Sequence, residues 1–115
     1  MLVMGLTFKE NVKDVRNSKS KPLITELKEY CLDVLAHDPL LTQEDVDEEK
    51  FGVKLFDLKE IKSLDAIIIA VPHKQYMDRS FSSMYATNSA KIFFDIKGSL
   101  DKTEMSAEGI QYIKL

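Results

Sequence analysis

The chain has 115 residues, 44% hydrophobic and 30% charged, with a formal net charge of −3. That is enough for one domain with a single core, and an acidic balance argues against a nucleic-acid partner. One cysteine, Cys31, excludes an intrachain disulfide and fits a reducing cytoplasm, and no apolar run approaches the ~20 residues a membrane helix needs.

Met1-Leu2-Val3-Met4-Gly5 lacks the basic lead of a signal peptide and enters a strand at once, as in a piece of a longer chain. Leu2 to Leu6 reads as a buried strand, followed by a polar loop from Thr7 to Asn17. Ser18 or Ser20 then caps a helix with Leu23, Ile24, Leu27 and Tyr30 at helical spacing and Pro22 in its first turn. Val34-Leu35-Ala36 is a second strand, closed by Asp38-Pro39, and an acidic helix from Thr42 to Phe51 ends at Gly52. Val53 to Phe56 is a third strand, after which Asp57 and Glu60 suit a capping box. Asp65 to Val71 is continuously apolar after its first residue, as in the centre of a parallel sheet, and Pro72 stops it. Residues 75–87 are weakly helical or irregular. Lys91 to Asp95 and Ile110 to Ile113 complete a set of about six strands.

Strands alternating with helices predict an α/β fold, a three-layer, doubly wound parallel sheet with strand order 3-2-1-4-5-6. Such a sheet binds ligands beyond the carboxyl ends of its strands, where the order reverses. Three segments meet there: Phe8 to Ser18, Pro72-His73-Lys74, and Lys97-Gly98. Each carries Lys, Arg or His, and a basic cleft on an acidic domain suits a polyphosphate.

The first loop lacks G-x-G-x-x-G, so a dinucleotide cannot lie on bare backbone there. Lys9 and Arg16 reach phosphate oxygens, Arg16 in bidentate fashion, and Phe8 offers an aromatic face, or else the loop is a solvated surface with Phe8 tucked inward. His73, at a strand end, either contacts ligand or hydrogen-bonds a helix entry, with no paired carboxylate or metal-spaced ligand in the sequence beside it. His37 reads as structural, Asp38 as a turn or cap, and Cys31 as a small buried hydrophobe.

Gly5-Leu6-Thr7-Phe8-Lys9-Glu10-Asn11 and Asp14-Val15-Arg16-Asn17-Ser18-Lys19 resemble the opening of the third domain in the UDP-glucose/GDP-mannose dehydrogenase family. Asp38-Pro39, Ala70-Val71-Pro72-His73 and Phe94-Asp95-Ile96-Lys97-Gly98 extend the resemblance over nearly the whole chain. The wording is most like the members that oxidise UDP-N-acetylhexosamines. The resemblance implies a Rossmann-like domain, residues 1–115, that grips the UDP-sugar of a cytoplasmic enzyme active as a homodimer or larger. In that family an N-terminal domain holds NAD, a central helical domain mediates dimerisation, and a cysteine in a Gly-rich motif before the third domain takes part in two oxidations of the C6 alcohol to a carboxylate. This chain has neither that motif nor an NAD fingerprint, so it is expected to be inactive alone, with no cofactor of its own.

Carried over by motif, Phe8 and Lys9 match the Phe-Lys pair that contacts the nucleotide sugar. Lys97, beside Gly98, stands where many members have arginine, which keeps the charge but not the bidentate fork. Arg16 and Asn17 match an Arg-Asn-Ser stretch, with Arg16 either on substrate or braced against Asp14. Two other readings compete. A response-regulator receiver would share the lysine after strand five but needs an acidic pair where Lys9 and Glu10 stand and a phosphorylatable Asp ending strand three, where Asp57 reads as a cap. A free-standing Rossmann module for NAD or CoA would need the missing glycines.

Overall fold

The structure, a computed structural model, describes residues 1–30, 32–61, 63–77, 92–98 and 111–114. Cys31, Lys91, Ile110 and most of the stretch 75–87 lie outside the described residues.

Five parallel strands form the sheet: β1 (Leu2–Met4), β2 (Leu35–His37), β3 (Ala66–Ile69), β4 (Ile92–Asp95) and β5 (Gln111–Lys114), in the order β2-β1-β3-β4-β5. They are the expected strands one, two, four, five and six. Val3 pairs with Ala36 on one side and Ile68 on the other, and Ile68 with Phe94. β3 is buried along its whole length, as its unbroken apolar run predicts for a central parallel strand.

The expected third strand, Val53 to Phe56, is reduced to one parallel bridge between Leu55 and Ala36. On its outer side a side chain stands where a further strand could pair. The Gln43 carboxamide accepts from the Leu55 N–H at 2.7 Å and donates to the Val53 carbonyl at 3.2 Å. A side-chain amide thus satisfies edge groups that would otherwise await another strand. The segment still flanks β2, so the expected order 3-2-1-4-5-6 stands with its outermost member shortened to a bridge.

The pleat sends alternate residues to two cores. Leu2, Met4, Ile67, Ile69 and Phe93 pack with Leu58, Ile61, Leu64 and Tyr76. Val3 and Ala36 pack with Leu6, Ile24, Val46 and Phe51. Ile24 belongs to α1 (Ser20–Glu29) and Val46 to α2 (Gln43–Glu48), so α1 and α2 cover the second face. Leu58 and Tyr76 come from 3-10 turns, Leu58–Glu60 and Lys74–Tyr76, that cover the first.

Three boundaries differ from expectation. The N-cap of α1 is Lys19, with no side-chain cap bond. Ser18 Oγ instead accepts from the Ser20 N–H, and the Ser20 hydroxyl donates to the Gly5 carbonyl at 2.8 Å, tying the helix start to the end of β1. Tyr30, expected on the apolar face, is 75% exposed because it follows the last helical residue. α2 begins with a reciprocal capping box between Thr42 and Asp45 but stops at Glu48, not Phe51. Lys50 there adopts φ +56°, and the Phe51 N–H donates to the Val46 carbonyl, which turns the Phe51 ring into the core.

Candidate functional site

β1 ends in a crowded turn. Gly5 has φ +93°, its N–H donates to the His37 carbonyl, and the backbone of Val71 passes directly against its α-carbon. Only a residue without a Cβ permits that approach. From there the chain enters the long loop to Lys19, closed by the Phe8 N–H donating to the Asp14 carbonyl at 2.6 Å. Asn11 and Asn17 take left-handed conformations, φ +62° and +58°, a region asparagine visits more readily than most residues.

A buried pair holds this loop to the sheet. Asp38, closing β2, accepts from the Leu6 N–H at 2.7 Å and the Leu40 N–H at 2.8 Å. Its Oδ2 also lies 2.9 Å from Nε2 of His73, a side chain with no exposed surface. The other ring nitrogen, Nδ1, accepts from the Asn11 N–H at 3.0 Å. An acceptor at Nδ1 places the ring proton on Nε2, where it is shared between Asp38 and Thr7 Oγ1, 3.3 Å away. The Thr7 hydroxyl donates to the Lys9 carbonyl, and Asn11 Oδ1 accepts from the Lys74 N–H. Burial pushes the Asp38 carboxyl up in pKa, but the bonds from His73, Leu6 and Leu40 outweigh it and hold the group below its ordinary value. The Tyr76 hydroxyl donates to the carbonyl of the other histidine, His37, and so accepts from its Nδ1 at 2.8 Å, and burial pushes the His37 pKa down.

Above this pair lies a cleft of about 470 Å³ at the carboxyl ends of β1, β3 and β4, where the strand order reverses. Leu23, Ala70, Val71 and Ile96 supply its apolar lining. Phe8, Lys9, Lys19 and Lys97 add an aromatic residue and three lysines to the lining. The N-terminus of α1 also opens on the cleft, through Lys19 and Ser20. Phe8 is 52% exposed, a large ring held in solvent at the rim. Among the described residues no group of three or more His, Cys, Asp or Glu could hold a metal ion.

The structure therefore brings together Phe8, Lys9 and Lys97, three of the residues singled out from the sequence. Arg16 and Asn17 lie on the other side of Phe8, in an open depression of about 330 Å³ shared with Asp14. Of the two roles left open for Arg16, the side chain as placed braces the loop: Nε stands 3.2 Å from Asp14 Oδ1 with most of the guanidinium in solvent. Gly98 shapes the turn after β4 with φ +65° and does not line the cleft. His73 lies beneath the loop, and with both ring nitrogens engaged and no exposed surface it is placed to hold the loop, not to touch a ligand. Lys19 and the apolar lining were missed in sequence. Lys19 directly precedes a helix that starts beside β1, and that was the available signal.

The UDP binding domain model of the UDP-glucose/GDP-mannose dehydrogenase family matches residues 2–102. Protein CapL of Staphylococcus aureus is 43% identical over 106 residues, 90% of this chain and 24% of that protein. UDP-N-acetyl-D-glucosamine 6-dehydrogenase of Pseudomonas aeruginosa is 34% identical over 103 residues, 89% of this chain and 24% of the enzyme. The chain thus spans about a quarter of the length of these curated relatives. Among solved structures, UDP-D-ManNAc dehydrogenase from Pyrococcus horikoshii superposes with a TM-score of 0.75 over 98% of this chain and 24% of its own, at 21% identity, a likeness of fold.

Proposed function

The chain belongs to the UDP-glucose/GDP-mannose dehydrogenase family as a UDP binding domain, and on that premise we propose that its cleft holds the UDP moiety of a UDP-sugar. The observation that carries the proposal is the meeting of Phe8, Lys9, Lys19 and Lys97 around an apolar lining at the switch point of the sheet. A diphosphate needs cations and helix-terminal N–H groups, and the ring and apolar surface suit a base or sugar face. A receiver role has no support in this family, and no acidic pair stands where one would be needed.

The residues present do not fit NAD. The turn after β1 carries side chains where a dinucleotide needs glycines, and Asp38, the acid placed to hold a ribose, is buried under bonds from Leu6, Leu40 and His73. In our reading the whole protein is a cytoplasmic NAD-dependent UDP-sugar 6-dehydrogenase acting on an N-acetylhexosamine, at least a homodimer. NAD and the oxidation belong to domains outside residues 1–115. This chain binds and orients the substrate. Among the described residues no helix is long and apolar enough to cross a membrane.

Calorimetric titration of this chain with UDP tests the reading. We expect micromolar to millimolar affinity, about −4 to −8 kcal/mol. Lys9→Ala and Lys97→Ala each remove a charge-assisted contact worth roughly 1.5–3 kcal/mol, a ten- to hundredfold loss of affinity. Lys59→Ala, on the exposed 3-10 turn away from the cleft, changes nothing. If the two cleft variants match Lys59→Ala, the lysines are surface charges and the site assignment fails.

A further inference from the structure

The three ammonium groups of the cleft are not equivalent. That of Lys97 donates to the Glu10 carboxylate, whereas among the described residues neither Lys9 nor Lys19 has a carboxylate partner. The pair joins the loop after β1 to the turn after β4. Lys97 lines the cleft, and Glu10 stands just beyond the lining at the other end of the pair, with the two side chains 46% and 32% exposed.

The backbone around Glu10 is fixed on both sides. The Lys9 carbonyl accepts from Thr7, and the Asn11 N–H donates to the buried His73 ring. Held by that backbone, the Glu10 side chain stays within reach of Lys97 when a ligand takes the ammonium group. The hydrogen bond from Lys97 holds the Glu10 carboxyl below its ordinary pKa, so it is ionised at neutral pH. A bound anion therefore meets three positive charges and one negative.

Diphosphates differ in how they meet that negative charge. Esterified at both ends, as in a nucleotide sugar, a diphosphate carries one charge per phosphate. A free nucleoside diphosphate ends in a phosphate monoester carrying about −1.5 to −2 near pH 7. The surplus charge sits on the terminal group.

We infer that Glu10 is a specificity residue, whose carboxylate beside Lys97 at the edge of the cleft favours a doubly esterified diphosphate over a free nucleoside diphosphate. The inference rests on the UDP-binding reading. Glu10 acts by repelling the surplus charge and by taking up part of the Lys97 charge that would attract it. One charge acting through wet surroundings accounts for about a three- to tenfold preference, larger at low salt and fading as ionic strength rises.

The test is a matrix of titrations of the chain and its Glu10→Gln and Glu10→Asp variants with UDP and with UDP-N-acetylglucosamine, at low and high salt. The expected result is tighter binding of both ligands to Glu10→Gln, with the preference for the sugar ester reduced about three- to tenfold at low salt. Glu10→Asp keeps the charge and the wild-type preference. Should Glu10→Gln tighten both ligands equally, Glu10 only competes for Lys97 and the inference is overturned while UDP binding stands. An unchanged preference with unchanged affinities overturns it equally. If neither ligand binds any of the proteins, the binding reading falls and takes this inference with it.

Discussion

Gly5→Ala lowers stability by about 3–5 kcal/mol and the melting temperature by roughly 12–20 °C. A Cβ at position 5 would lie 2.5 Å from the Val71 carbonyl oxygen, 2.6 Å from Val71 Cβ and 2.8 Å from Val71 N. Two of those atoms are backbone, anchored just beyond β3, where the Val71 N–H donates to the Met4 carbonyl. No side-chain rotation relieves the overlap. The left-handed φ adds about 1–2 kcal/mol for any residue with a Cβ. Gly52→Ala separates the two contributions: φ is +66° there, but the nearest atom is the end of a flexible lysine at 3.4 Å. It should cost only the conformational share. Equal melting temperatures for the two variants would show that the crowding at Gly5 is not real. Because Gly5 also accepts from Ser20 and donates to the end of β2, its loss should loosen the cleft before the rest of the sheet.

His73→Ala should cost a similar amount, about 3–5 kcal/mol, because it leaves the buried Asp38 carboxylate without its strongest side-chain partner and the Asn11 N–H without an acceptor. The effect depends on pH in a defined direction. Asp38 has a depressed native pKa, so its contribution is complete above the ordinary aspartate value of 3.8 and is lost as the pH falls through the lower native value. Chemical denaturation at neutral pH should show the full gap between wild type and His73→Ala, and the gap should narrow in acid. His73→Asn, which offers an amide oxygen near the position of Nδ1, should keep Asn11 anchored and retain more UDP affinity than alanine does. A pH-independent gap of less than about 1 kcal/mol would mean that the pair does not hold the loop.

Much of this architecture was legible in the residues. Ala66 to Ile69 announced a central strand because burial on both faces leaves no polar position, and Pro72 marked its end. That the loops after β1, β3 and β4 share one edge follows from the strand order, although the lining after β3 comes from Ala70 and Val71 and not from Pro72-His73-Lys74. What escaped was decided by single contacts. Nothing in Val53-Lys54-Leu55-Phe56 says that the Gln43 carboxamide will take its outer edge, and Lys50 turning left-handed to bury Phe51 is a tertiary choice that overrides helical spacing. His73 shows the limit most clearly. A histidine at the end of a cleft strand leaves a ligand contact and a structural hydrogen bond both open, and only the bonds to Asp38 and Asn11 reveal a ring facing inward. Arg16 is similar, since the sequence offered Asp14 and a phosphate as equal partners.

UDP should bind in the cleft between the ends of β1, β3 and β4. Amide shift mapping of the 115-residue chain during UDP titration tests it most directly. UDP should give saturable shifts concentrated at Thr7 to Asn11, Lys19 to Leu23, Ala70 to Val71 and Ile96 to Gly98, with NAD at equal concentration giving weaker ones. Shifts confined to α2 and its neighbours, or none up to millimolar UDP, would contradict it.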